Sequence, residues 1–203
     1  RAQLAIDELR QAREQLAQPP AGQAPLYALA VHERRLQLLI AYAEHRHLKA
    51  AALSLGITQP AASMALRDLE ANAACALFDR SGGGMRLNAA GELLLLHIKR
   101  ALSQLRIAVT EIAALKGVIE GQVTVNALPF GRPYMLPVAI GRLLARHPRV
   151  HVRTVEGPLA TLSARLRAGD VDLILRALPP PPPRTDLVLE ALFQESMSVI
   201  ARA

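Results

Sequence analysis

Apolar residues fall at spacings of three and four from the start of the chain to about residue 116. Beyond residue 120 that rhythm is broken by short apolar runs. The first regime predicts helices and the second a strand-and-helix alternation. Leu4, Ile6, Leu9, Ala12 and Leu16 mark an amphipathic helix that stops before Pro19-Pro20, and residues 18–25 read as a Pro-rich linker. Leu36, Leu39, Ile40 and Ala43 place one buried face on a helix over 33–45. A short alanine-rich helix follows over Leu48 to Leu55. Gly56 can take a positive φ and turn the chain there. Ile57 plugs the corner, Thr58 has N-cap chemistry, and Pro60 sits in a first turn where its missing N–H costs nothing.

The next helix runs to about Glu70 and buries Ala62, Ala65, Leu66 and Leu69. Its other face carries Gln59, Ser63, Met64, Arg67 and Asp68. Two short helices around a glycine turn, the second with a polar outer face, make a helix-turn-helix unit whose second helix enters a DNA major groove N-terminus first. Leu77-Phe78 and Met85-Arg86-Leu87 read as two strands around Ser81-Gly-Gly-Gly84. Consecutive glycines permit a tight hairpin tip, a wing. A phosphate loop would need a following Lys-Ser/Thr, which is missing. From Ala89 to about Lys116 one long helix is expected, on the order of 40 Å. Its stripe is too long for one small domain to cover, so a homodimer through residues 90–116 is expected.

Gly117 ends that helix. Strands are expected at Gln122–Ala127, Val150–Val155 and Val171–Arg176, with helices over Pro133–His147 and Leu159–Ala168 between them. That order means a parallel sheet with helices on its faces. Pro179–Pro183 reads as an extended polyproline connection, and Leu187–Leu192 and Ser196–Ala201 as two further strands. The fold class is therefore mixed: an α-rich winged helix-turn-helix with a long linker helix, then an incomplete α/β domain. The boundaries expected are 1–25 for the first helix and linker, 26–88 for the winged unit, 89–117 for the long helix and 118–203 for the α/β part.

A net charge of +7 favours an anionic partner without naming it, because the excess is spread over both halves. Arginine outnumbers lysine, which suits bidentate contact to guanine or phosphate, though a genome's base composition produces the same bias. With aromatics at 3%, a base-stacking platform for single strands is excluded and duplex DNA is not. The single cysteine, Cys75, allows neither an intrachain disulfide nor a thiolate metal site and fits a reducing cytoplasm. No apolar run approaches the ~18 residues that cross a bilayer.

The run Ala51-Ala52-x-x-Leu55-Gly56-Ile57-Thr58-Gln59-Pro60-Ala61-Ala62-Ser63 resembles the DNA-binding domain of LysR-type transcriptional regulators. So do Leu77-Phe78-Asp79-Arg80 and Leu87-Asn88-Ala89-Ala90-Gly91-Glu92 at their spacing from it. The resemblance continues, more weakly, to the end of the chain. It implies the linker-helix dimer, and it makes residues 118–203 similar to the first lobe of an effector-binding domain with a periplasmic-binding-protein-like fold. Only that lobe is within the chain, which also opens at Arg1 inside a helical pattern, so a fragment of a longer protein is expected.

The expected function is sequence-specific binding of double-stranded DNA by a transcriptional regulator, modulated by a small-molecule effector. Gln59 is suited to adenine, Arg67 to guanine or phosphate, and Ser63 to either. Thr58 reaches phosphate, Pro60 meets base methyls, and Met64 stands where relatives commonly have a polar or basic residue. Arg80 and Arg86 flank the wing and meet the backbone or minor groove. The alternative for Arg67 is an ion pair with Asp68 or Glu70, and for the wing arginines plain solvation. Leu128, Phe130, Arg132, Thr161 and Arg176 lie at strand ends or the helix start facing them, where ligands of open α/β sheets sit, and the resemblance implies that they line one wall of an effector cleft. No hydroxyl residue lies between Leu128 and Pro133 to hold a carboxylate, where the family often has one. Partners expected are DNA, a second copy (as a dimer or tetramer) and an effector, with no cofactor, metal or membrane. The six histidines show no paired-ligand motif with a third partner, and no Gly-x-Ser-x-Gly occurs, so an enzyme is not expected. The competing reading is a small-molecule-binding module whose N-terminal unit serves protein association.

One internal echo stands out. Residues 6–17 can be laid over 102–113, with Leu9/Leu105, Arg10/Arg106, Ala12/Ala108 and Ala17/Ala113 identical. Either the first helix is the tail of a duplicated upstream winged domain, or two amphipathic helices of similar composition match by chance. A start codon directly before Arg1 would sink the first alternative.

Overall fold

The computed structural model describes residues 1–16, 33–81, 84–129, 131–177, 186–192 and 194. Its N-terminal part is built of helices α1 (Ala2–Gln15), α2 (Glu33–His45), α3 (Leu48–Ser54), α4 (Gln59–Ala73) and α5 (Ala89–Leu115), with a two-stranded hairpin β1 (Phe78–Asp79) and β2 (Arg86–Leu87) between α4 and α5. A three-stranded parallel sheet follows, β3 (Gly121–Ala127), β4 (Val150–Thr154) and β5 (Leu173–Leu175), in the order β4-β3-β5. Its crossovers are α6 (Met135–Arg146) and α7 (Leu159–Arg167).

The turn between α3 and α4 is made by the backbone. Gly56 has φ +65°, its amide donates to the Leu53 carbonyl, and the Ile57 amide donates to the Ala52 carbonyl. This is the paired closure that ends a helix on a left-handed glycine. Ile57, half-buried, then packs against the core. Thr58 caps α4, its hydroxyl accepting from the Ala61 amide at 3.4 Å. A non-glycine residue with positive φ, Arg46 (53°), turns the chain from α2 into α3.

The core joins α1 to the winged unit. Ala5, Leu9, Ala12 and Leu16 of α1 belong to one apolar cluster with Leu36, Leu39, Leu66, Leu69, Leu77, Leu94 and Ile98. Leu38, outside the face expected for α2, is fully buried, because α2 meets α3, α4 and α5 on different sides. Gly91 marks the closest approach: a β-carbon there would lie 2.3 Å from the Leu77 carbonyl oxygen and 2.7 Å from Leu87. Only glycine lets the first turn of α5 sit on the strand entry.

The sheet lobe docks on α5 through polar contacts. Lys99 meets Asp170 at 2.6 Å, the Arg100 guanidinium donates to the Arg167 carbonyl at 2.9 Å, and Arg106 donates to the Gly169 carbonyl at 3.1 Å. Asp172 receives the Thr124 amide at 2.7 Å and lies 3.4 Å from Arg106, so it ties β3 and the entry to β5 to the long helix.

One expectation is corrected here. Residues 187–192 form no strand: they pair with neither β4 nor β5, and Val188 is 99% exposed. Its alternating apolar residues do not reach either sheet edge, β4 or β5. The polyproline run and the strand expected over 196–201 lie outside the described residues.

Candidate nucleic-acid interface and ligand wall

The α4 helix buries Ala62, Leu66 and Leu69 and turns Gln59, Pro60, Ala61, Met64 and Arg67 to solvent, with Ser63 half-buried beside them. The expected division holds for Ala62, Leu66 and Leu69 inside and Gln59, Met64 and Arg67 outside, while Ala65, expected in the core, and Ser63 and Asp68, expected outward, are half-buried. Arg67 donates to the Ser63 hydroxyl at 3.4 Å. The carboxylates that could have claimed it are engaged elsewhere. Asp68 pairs with Arg35 at 2.9 Å and Glu70 with Arg80 at 2.7 Å. The guanidinium of Arg67 is thus left on the outer face, where a phosphate or a base edge can reach it.

Glu70 does more than pair with Arg80. Its other oxygen accepts the amides of Leu77 at 2.8 Å and Phe78 at 3.2 Å. The recognition helix thereby holds the root of β1. From the far side, Tyr42 stacks edge-on against Phe78, ring centroids 5.4 Å apart, and its hydroxyl donates to the Met85 carbonyl at the start of β2. Burial pushes the Tyr42 phenol above its ordinary pKa despite the nearby Arg86. The recognition helix and the root of the wing are thus joined by direct contacts. Nothing in the hydrophobic pattern signals Glu70 or Tyr42 as wing anchors, since both links cross between elements.

Between α3, α4 and the wing lies a cleft of about 230 Å³ lined by Leu48, Ser63, Leu66, Arg67, Arg80 and Met85. Arg80, though paired, keeps its side chain 57% exposed. Arg86 is exposed opposite Asp79, which it faces across the hairpin. The Ser81 hydroxyl and amide both donate to Asp79 and hold its carboxyl below the usual range. Gly82 and Gly83 of the tip lie outside the described residues.

The ligand wall is less assembled. Leu128 does lie at the carboxyl end of β3, its amide donating to the Leu175 carbonyl at 3.0 Å. Phe130 falls outside the described residues. Arg132 donates to the Ala127 carbonyl at 3.2 Å and pairs with Glu156 at 3.2 Å. Thr161 is exposed in the first turn of α7, and Arg176 donates only to the neighbouring Ala177 carbonyl among its described contacts. The residue that sequence reasoning missed is Asn126. It is fully buried on β3, its amide nitrogen donates to the Val155 carbonyl at 2.5 Å, and its side-chain oxygen has no partner among the described residues. A buried acceptor left open costs about 1–3 kcal/mol. A lone asparagine within Val-Thr-Val-Asn-Ala was the available signal.

Among the described residues, no group of three or more His, Cys, Asp or Glu is placed to hold a metal ion, and no helix is long and apolar enough to cross a membrane.

Comparison with known proteins places this geometry. Residues 34–92 match the bacterial regulatory helix-turn-helix model of the lysR family, and residues 116–203 match the LysR substrate binding domain. The HTH-type transcriptional regulator GalR of Pseudomonas putida is 43% identical over 178 residues, which are 88% of this chain and 44% of that protein. A probable hydrogen peroxide-inducible genes activator of Mycobacterium xenopi is 33% identical over 144 residues, 71% of this chain and 76% of that one. A full-length OxyR variant from Pseudomonas aeruginosa has a similar structure, with TM-score 0.51 and 26% identity over 73% of this chain and 51% of that chain. This chain thus spans about half the length of the first of its relatives. A larger share of this chain fills a smaller share of the P. putida protein than of the P. aeruginosa one, so the former is the longer by more than a winged unit with its long helix. The chain belongs to the LysR family of bacterial helix-turn-helix regulatory proteins.

Proposed function

We propose that this protein is a sequence-specific duplex-DNA-binding transcriptional regulator whose activity is set by a small-molecule effector. The observation that carries the reading is the outward face of α4. Gln59, Met64 and Arg67 are exposed together at and beyond a capped helix N-terminus, beside a wing held in place by Glu70. An α-helix with this face fits a major groove, where Gln59 reads adenine and Arg67 reads guanine or grips phosphate. Thr58, Pro60 and Ser63 flank that contact, and Arg80 and Arg86 meet the backbone alongside. The names of the relatives support the reading.

The boundaries at 26–88, 89–117 and 118–203 divide the labour into DNA reading, pairing and effector sensing. Pairing falls to α5, which leaves Leu105, Val109, Ile112 and Leu115 exposed along its second half. An apolar stripe of that length asks for a cover. The effector wall comprises the ends of β3 and β5 with Arg132, Thr161 and Arg176. A regulator acting on DNA works in the cytoplasm.

The test is selection of duplex DNA from a random library by the whole chain at several salt concentrations, with Gln59→Ala alongside. A preferred site that Gln59→Ala loses while the salt dependence persists supports base reading by α4. Equal binding to all sequences that vanishes with salt overturns it. Retained duplex binding after removal of residues 120–203 speaks against the alternative, a small-molecule-binding module whose N-terminal unit serves protein association.

A further inference from the structure

The α1 helix lies antiparallel along α5, its start beside Gln104 and Glu111 and its middle beside His97. The internal echo between 6–17 and 102–113, extended back at the same offset, matches Arg1 with His97, Ala5 with Ala101 and Glu8 with Gln104. Two contacts in the structure then take on a specific relation. Arg1 donates to Gln104 at 3.3 Å, and Glu8 meets His97 at 2.8 Å. A twofold axis that exchanges the two matched segments turns the first contact into the second. Ala5 and Ala101, which that axis also exchanges, are the same residue type and are both 4% exposed. Antiparallel helices have such axes at intervals of a few residues, and the echo falls on one of them; the Arg1–Glu111 pair at 2.9 Å has no counterpart between Gln15 and His97 among the described contacts.

We infer that α1 is the linker helix of a second winged unit in the same protein, and that α1 and α5 pair in cis as a pseudo-dimer. The occupant of the exposed half of α5 follows from the same axis. Leu9 and Leu16 of α1 are buried in the cluster of the winged unit, at 6% and 5%. Their matches Leu105 and Ile112 are 45% and 53% exposed. The element that buries Leu16 is the start of α5 with the winged unit behind it, so the element that buries Ile112 is the upstream continuation of α1 with its own winged unit. The surplus length of the P. putida relative, more than one winged unit with its long helix, accommodates such a segment. One chain then carries two recognition helices that need not be alike. It reads an asymmetric site with two different halves, where two identical copies would read a palindrome. This rests on the DNA-binding reading for the form of the operator, and on the helix packing alone for the pairing.

The experiment uses the full-length protein with Cys75→Ser and the double substitution Arg1→Cys with Gln104→Cys, treated with a short bismaleimide. Both positions are partly open to solvent, so the folded protein reacts. Cross-linking inside a chain, at monomer mass and mapped to the 1–104 pair, is expected. Covalent dimers would show that a second copy's helix takes this place, and the absence of the cross-link would show that α1 does not lie here; either overturns the inference. In parallel, Ile112→Asp is expected to lower the melting temperature of the full-length protein, and no change would mean the face is solvated, which also overturns it. None of these readouts involves DNA, so they stand apart from the outcome of the library selection. With a selected site in hand, one chain per duplex over two unlike half-sites is expected, and two chains over a palindrome overturn the asymmetric reading.

Discussion

Glu70 and Arg80 are joined at 2.7 Å, and the same carboxylate takes the amides of Leu77 and Phe78. The recognition helix and the wing are therefore held by one side chain, only 14% exposed, that serves three donors. Glu70→Ala leaves those donors open and is expected to lower stability by about 2 kcal/mol. Arg80→Ala removes one exposed partner and should cost within about 1 kcal/mol. Urea unfolding of both variants checks the order, and equal costs would mean that Glu70 acts through the ion pair alone.

On DNA the two kinds of contact separate. Gln59→Ala should relax the choice of one base pair by about 1–3 kcal/mol with an unchanged salt slope. Arg86→Ala should weaken all sequences alike and reduce the salt slope by about 1. Titrations on the selected site and on scrambled duplexes at three salt concentrations read both.

The two capping residues differ in what they hold. Thr58 accepts one amide at a long 3.4 Å, whereas Asn88 accepts the Gly91 amide at 2.9 Å and donates to the Ala76 carbonyl at 2.8 Å. Both caps fall in a range of about 0.5–2 kcal/mol. Asn88→Ala should lie at its upper end and Thr58→Ala at its lower. Denaturation midpoints that reverse this order would contradict the geometry.

At Gly91 the added methyl of alanine meets the Leu77 carbonyl backbone, which cannot rotate away. Gly91→Ala should destabilise by about 1–3 kcal/mol, even though alanine is the better helix former. A thermal melt that shows a stabilised protein would mean that the helix shifts off the strand.

Cys75 is half-buried beside Glu70. Burial raises its pKa first and the carboxylate adds to this. A raised pKa leaves less thiolate at neutral pH than an exposed cysteine has. Alkylation by iodoacetamide should be slow at pH 7 and climb only at alkaline pH, and Glu70→Ala should move that climb downward. Rates measured from about pH 7 to 10 test the sign.

Much of the outer face of α4 could be read along the chain, because it rests on local rules. Gly56 ends a helix, Thr58 starts the next, and the spacing of Ala62, Leu66 and Leu69 chooses which side is hidden. What remains on the other side is Gln59, Met64 and Arg67. The wing was legible as two strands around glycines. Its anchoring was not, because Glu70 and Tyr42 reach residues 7 and 43 positions away. The strand expected over 187–192 shows the converse limit: alternation describes a segment that could pair, and pairing needs an edge that this segment does not reach.

Residue order alone settled the helix-turn-helix, the length of α5 and the parallel character of the sheet, since periodicity, capping and glycine placement act within a few residues. It could not settle whether the likeness of residues 6–17 to 102–113 had any meaning. The tertiary structure adds that Arg1 meets Gln104 and Glu8 meets His97 across antiparallel helices, contacts that only packing can place. Residue order also could not tell Arg67 from Arg80. Both are arginines on polar faces, and only the positions of Asp68 and Glu70 in space decide that one is left open and the other is held.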